Sequence, residues 1–408
     1  MLKDMEHRKR GGPTFSNVSF AMFCLGGYLL SMSYGTTFLI SLLVMSHGGN
    51  ESSAGTVVSV AMVSTVMAVV VSGHLLDMFG PARSVAMAGL LLCIACVGLS
   101  TAPALGPTLI LSGLVLGFGW GVFYTLGPIM ISTLVPSSRR AAYFAILSGS
   151  MMSGIGAGPL VGRVAAFLGY PLEAAFYIAS ATSLLGGVIF QALHATTAVG
   201  PAPESTASLS RVSRDTVFRV LGSRAAFPTV MVGLGGCVFG GLSTFQTSYA
   251  ALHKLDYADF FAGFVSAAVV CRLFVSGIVV KRDPYITSCI FSGLMVASIL
   301  MFAFTVNNQL TYLLAAMTLG VGYGLTYSII NGLVASESPS GCTAQALLLF
   351  SLSYFIGTFG FPLLASRVII SSGIAPFLFM VLAIATVNWL IAVARLVWHS
   401  RSARIEPP

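Results

Sequence analysis

The chain has 408 residues, 56% of them hydrophobic and 8% charged, against roughly 45–50% and 25% in soluble globular domains. So few charges cannot cover a water-soluble fold of this length, and most of the surface must face lipid. The formal charge of +8 invites a nucleic-acid reading, which depends on where the basic residues lie.

Twelve apolar segments reach the ~20 residues a helix needs to cross the hydrocarbon core. They are 17–46, 54–76, 84–104, 107–135, 141–168, 172–195, 226–251, 259–280, 285–306, 309–334, 342–366 and 373–397. Long apolar runs, rather than ten-residue alternation, exclude an outer-membrane barrel, and only helices satisfy their own backbone this way in lipid. The expected fold is an all-α integral membrane protein with 12 transmembrane helices. Of 20 lysines and arginines, 16 fall on the side of the N-terminus and three on the other side (Arg163, Lys254, Arg367), while Arg272 lies within a span. This is the positive-inside pattern, with both termini cytoplasmic. The charge reports topology, not a nucleic-acid partner.

The halves repeat each other. Leu116-Gly117-Phe118-Gly119-Trp120-Gly121 returns as Leu319-Gly320-Val321-Gly322-Tyr323-Gly324, and Pro81, Gly154 and Pro159 return as Pro284, Gly357 and Pro362. Two related halves in a polytopic chain point to a transporter with a substrate site between them.

Along the chain, the basic block before Ser16 precedes a run too long for a signal-peptide core, so it leads into the first span. That span carries Tyr34 and Thr37. Asn50-Glu51-Ser52 matches a glycosylation sequon but lies very close to two helices. Between spans 2 and 3 stands Gly73-His74-Leu75-Leu76-Asp77-Met78-Phe79-Gly80-Pro81-Ala82-Arg83. This loop resembles the G-x-L-x-D-x-x-G-x-x-R signature of the major facilitator superfamily. The resemblance implies two pseudo-symmetric six-helix halves that rock in alternating access. It also implies that Asp77 holds a helix end or an arginine to lock one conformation. A carboxylate near a helix N-terminus gains from the macrodipole, Gly73 permits close helix approach, and Gly80 permits a tight turn. Arg83 alone remains of the basic residues that usually follow. His74 reads as a loop residue.

Cys93-x-x-Cys96 lies in an apolar helix without His or acid nearby in sequence. All seven cysteines read as small packing residues, with no disulfide framework and no metal site. In span 4, Gly113 stands where many proton-coupled exporters of the superfamily carry an arginine. Trp120 and Tyr124, four residues apart, share a face of that helix. In span 5, Gly154-Ile155-Gly156-Ala157-Gly158-Pro159-Leu160-Val161-Gly162 resembles the superfamily's G-x-x-x-G-P-x-x-G antiporter and exporter signature. Gly154 and Gly158 allow close approach and Pro159 bends the helix; the same pattern also serves plain packing.

The polar stretch with Pro201, Pro203 and four arginines separates an N-terminal half, 1–196, from a C-terminal half, 225–408. Residues 197–224 read as a cytoplasmic linker, partly helical near Val217–Leu221. Span 7 offers Gln246, span 10 Tyr323 and Tyr327, and span 11 Tyr354. With Tyr34, Thr37, Trp120 and Tyr124 these are candidates to line a partly polar cavity. Arg272 lies well inside span 8, opposite Val69 in the repeat. A central arginine costs at least ~2.5–3.5 kcal/mol on insertion scales, and no acid lies comparably deep in sequence. A cargo carboxylate or phosphate suits its planar fork; bonding to backbone carbonyls or snorkelling is the plainer alternative. Monocarboxylate-type carriers often place an acid one turn before this arginine, where Ala268 stands here.

The expectation is a monomeric secondary transporter in a bacterial inner membrane. It would export a small anionic or amphipathic metabolite or drug, coupled to protons or a counter-ion carried by Asp77, Asp259 or the cargo. Uptake or exchange of an organic acid, and a non-transporting receptor or assembly factor, stay open. No Walker A motif, paired carboxylates, serine triad or metal cluster is present. Neither an enzyme nor a cofactor is expected.

Overall fold

Each of the twelve apolar segments contains a helix among the described residues. The computed structural model describes residues 16–102, 106–135, 137–196, 214–275, 279 and 282–405. Among them, 12 helices are long and apolar enough to cross a membrane, so this is a multi-pass membrane protein. In chain order they are α1 (Asn17–Ser46), α2 (Glu51–Phe79), α3 (Pro81–Thr101), α4 (Pro107–Leu134), α5 (Ser137–Phe167) and α6 (Glu173–Thr196). The second set is α7 (Ala226–His253), α8 (Tyr257–Val275), α9 (Pro284–Phe304), α10 (Gln309–Glu337), α11 (343–372) and α12 (Ile374–Ile405). A short helix, Arg214–Leu221, lies in the expected linker, whose residues 197–213 fall outside the described set, as does the basic block before Ser16.

Sequence chemistry sets most of the helix starts. Asn50 accepts from the Ser53 amide to open α2, Asp256 caps α8, and Asp283 caps α9 ahead of Pro284. Asn308 and Thr311 form a reciprocal capping box on α10. Gly80 joins α2 to α3 at φ +75°, a backbone region that side chains with a Cβ avoid. The last helix runs eight residues past its expected end. Its final turns are built from good helix formers such as Ala and Arg, which apolar-segment counting does not register.

The repeat is carried into three dimensions. In the first half α1 packs on α5 and α6, α2 on α4, and α3 on α4 and α6. The second half repeats this pattern six helices on: α7 on α11 and α12, α8 on α10, and α9 on α10 and α12. Individual contacts repeat as well. Gly117 lies against the Ala61 carbonyl and Ser64, and its mate Gly320 against the Phe264 carbonyl and Ala267. Gly119 faces Ala88 and Leu92, and Gly322 faces Phe291 and Met295. Glycine at these positions lets paired backbones touch. The halves meet where α2 packs on α11, α5 on α8, and α1 on α7.

Candidate functional site

Tyrosines gather where the halves join. The hydroxyls of Tyr124 on α4 and Tyr327 on α10 lie 2.6 Å apart, and these residues are separated by 203 positions, the offset of the repeat. Tyr323, one turn before Tyr327, donates to the Tyr354 hydroxyl at 3.2 Å. Tyr354 stacks on Tyr124 with ring centroids 6.1 Å apart and meets Tyr327 edge-on at 5.6 Å. A π turn at Ile356–Gly360 follows Tyr354 in α11. It precedes Pro362, whose missing N–H interrupts the helical ladder.

Arg272 belongs to this cluster. It sits in a second π turn, Cys271–Val275, in α8; such single turns shift side chains out of α-helical register and recur at functional positions. Its side chain is 6% exposed. Nη1 donates to Ser148 Oγ on α5, in the other half, at 2.7 Å, and the guanidinium lies 5.5 Å from the Tyr327 ring centroid. A cation and four phenols thus share one polar patch built from both halves.

An aromatic layer adjoins the patch. Tyr34 stacks on Trp120 at 4.6 Å and meets Phe359 of the other half edge-on at 5.5 Å. Phe38, one turn on from Tyr34, stacks on Phe261 at 5.3 Å and meets Phe239 at 5.8 Å. Thr37 is buried, with its hydroxyl donated to the Tyr34 carbonyl in its own helix. Gln246 lies elsewhere: its amide donates to the Tyr312 hydroxyl at 2.8 Å within the second half. The sequence therefore brought Gln246 into a cluster that the fold does not place it in, because the helix face it occupies turns toward α10.

The sequence profile of the Major Facilitator Superfamily matches residues 20–362. The chain belongs to this superfamily. The Bacillus subtilis protein YwtG, whose name assigns it to metabolite transport without establishing it, is 32% identical over 129 residues, 31% of this chain and 28% of that protein. Solved structures share the fold at low identity. A peptide transporter POT in complex with sulfate has a TM-score of 0.74 at 17% identity, covering 97% of this chain and 98% of that one. The human organic anion transporter MFSD10 gives 0.70 at 13% (93% and 100%), and the nucleoside transporter NupG 0.72 at 14% (93% and 99%). The superfamily and these neighbours are transporters, not enzymes.

The superfamily's signature is helical rather than a loop: residues 73–79, His74 included, end α2, and 81–83 begin α3 after Gly80. Asp77 and Arg83 are exposed, and among the described residues Asp77 makes no hydrogen bond or ion pair. The latch expected of Asp77 is therefore not engaged here. At the opposite end the halves are shut. Ser41 and Ser248 hydroxyls lie 3.4 Å apart, Gly55 abuts the Pro362 carbonyl and Ser366, and Arg163 pairs with Asp256. An unengaged Asp77 at one end and closed packing at the other fit one limb of a rocking cycle.

The span 5 signature divides between two neighbours. Gly154 and Gly158 face α1, where a Cβ on Gly154 would overlap the Tyr28 carbonyl and one on Gly158 the Gly35–Thr36 peptide. Gly156 instead faces Val265 of α8, across the junction. Pro159 is buried within the helix. Sequence reading missed Ser148, Phe38, Phe239 and Phe261. A serine in a small-residue helix and phenylalanines among 28 carry no local mark that separates them from ordinary packing.

Proposed function

We propose that the protein is a secondary transporter for a small anionic or amphipathic metabolite or drug, with Arg272 anchoring the cargo's negative group. The observation that carries this reading is a buried guanidinium bonded across the junction of the halves, among four tyrosine hydroxyls. A ligand held there touches parts that move apart when the halves rock, so its binding energy biases the conformational equilibrium. Tyr34, Trp120, Tyr124, Tyr323, Tyr327 and Tyr354 supply the aromatic and hydroxyl walls. Gly73, Asp77, Gly80, Arg83, Gly154, Gly158 and Pro159 serve gating.

Export is the proposed direction, supported by the span 5 signature, with proton coupling through the cargo's own acid or through Asp77 or Asp259. The basic end would face the cytoplasm of a bacterial cell, with the chain acting as a monomer in the inner membrane. Reconstitution in vesicles with an imposed pH gradient tests the reading. Flux of an organic acid should follow the gradient and fall at least about tenfold in Arg272→Gln, the value of one charge-assisted hydrogen bond. Equal flux of neutral or cationic compounds through both proteins, with no acid carried, would make Arg272 structural.

A further inference from the structure

The basic end of the second half holds a charged cavity apart from the tyrosine cluster. Arg224, just before α7, meets Phe227 of α7, Tyr285 of α9, Glu337 of α10, and Arg395 and Trp398 of α12 around a small open hollow. Arg395 is 6% exposed and bonds the Glu337 carboxylate through Nη2, while the Tyr285 hydroxyl donates to the same carboxylate at 2.6 Å. Arg395 Nη1 is buried and has no hydrogen-bond partner among the described residues. A buried N–H left unmade is costly and marks a place for an acceptor.

The acids nearby are already engaged. Glu337 serves Arg395 and Tyr285, and Asp283 caps α9 and lies 3.7 Å from His399. Arg224 lies over the Trp398 ring, 5.0 Å from its centroid, and makes no ion pair among the described residues. The hollow therefore presents two guanidinium groups with donors to spare. Phe227 and Trp398 meet edge-on at 6.4 Å on its rim and are 40% and 50% exposed. Aromatic residues at span ends mark the headgroup level, and basic pockets between helices at that level suit acidic headgroups.

We infer that this hollow binds an anionic phosphate group, with Arg395 Nη1 and Arg224 as donors, and that a membrane lipid supplies it. Guanidinium forks match phosphate oxygens. The bound headgroup would fasten the linker's end to α9, α10 and α12, giving the linker a fixed seat on the second half.

Thermal unfolding of the purified chain in detergent tests this, titrated with dioleoylphosphatidylglycerol, with diolein of the same chains, and with inorganic phosphate. Phosphatidylglycerol should raise the unfolding temperature, and Arg224→Gln should need about tenfold more lipid for the same rise, the loss of one charge-assisted bond. Arg224 is exposed, so its substitution gives up the contact with the Trp398 ring but opens no buried core. Arg401→Gln, an exposed arginine further along α12 that does not line the hollow, should titrate like the native protein. A shift with inorganic phosphate that Arg224→Gln loses supports the site with a soluble source of phosphate. Diolein as effective as phosphatidylglycerol, or equal losses in Arg224→Gln and Arg401→Gln, would overturn it.

Discussion

Tyr124 and Tyr327 occupy equivalent positions in the two halves and hydrogen-bond to each other through their hydroxyls at 2.6 Å. Two residues related by a twofold operation can touch only at its axis, so the pseudo-axis of the protein runs between these phenols. The polar patch with Arg272 and Tyr354 therefore lies beside the axis that relates the two halves.

One shared bond gives a strongly non-additive pair. Tyr124→Phe and Tyr327→Phe should each lower stability by about 0.5–1.5 kcal/mol, and the double variant by little more than either alone. A double-mutant cycle on thermal unfolding reads the coupling. Additive losses would show that the hydroxyls act through other partners.

Close helix approach makes specific demands on glycine. Gly154→Ala and its repeat mate Gly357→Ala should each cost about 1–3 kcal/mol, since the new methyl overlaps the Tyr28 carbonyl in one case and the Gly233 carbonyl in the other. A methyl added at Gly235 would meet nothing within 4 Å, so Gly235→Ala should be neutral or stabilise by up to about 1 kcal/mol through helix propensity. Denaturation midpoints for the three variants check the ranking.

The closed end can be locked. Ser41 and Ser248 approach to 3.4 Å across the junction of α1 and α7. Ser41→Cys with Ser248→Cys should crosslink on mild oxidation, stop flux in vesicles, and recover with reductant. Flux that continues in the crosslinked protein would mean that the halves do not separate at this end.

The Arg163–Asp256 pair fastens the same end from α5 to the start of α8. It is solvent-exposed, so salt should weaken it. Arg163→Asp should increase labelling of a cysteine placed beside it, and adding Asp256→Arg should reverse the increase. Labelling that ignores the charge swap would assign the pair no part in closure.

Much of this was legible in the sequence because lipid imposes a simple rule on a chain. A span must be apolar for about 20 residues and helical throughout, so composition alone located α1 to α12. The 203-residue offset announced two like halves, and Gly117 with Gly320 shows why: backbone contact at both sites requires the same residue. Arg272 stood out since a charge in a span needs a reason. Gln246 did not fare likewise, because polarity gives no information about which neighbour a helix face meets, and its face meets Tyr312.

The pairings across helices belong to another level. Tyr124 against Tyr327, Arg272 against Ser148, and Glu337 against Arg395 join residues 203, 124 and 58 positions apart. Hydropathy and local periodicity fix which segments enter the membrane, since those depend on each helix alone. Partners depend on the rotation and crossing of one helix against another, set by side-chain packing summed over the whole bundle. That is why the chain's order declared a two-part membrane machine, while the place where its polar groups meet emerged only once the helices were packed.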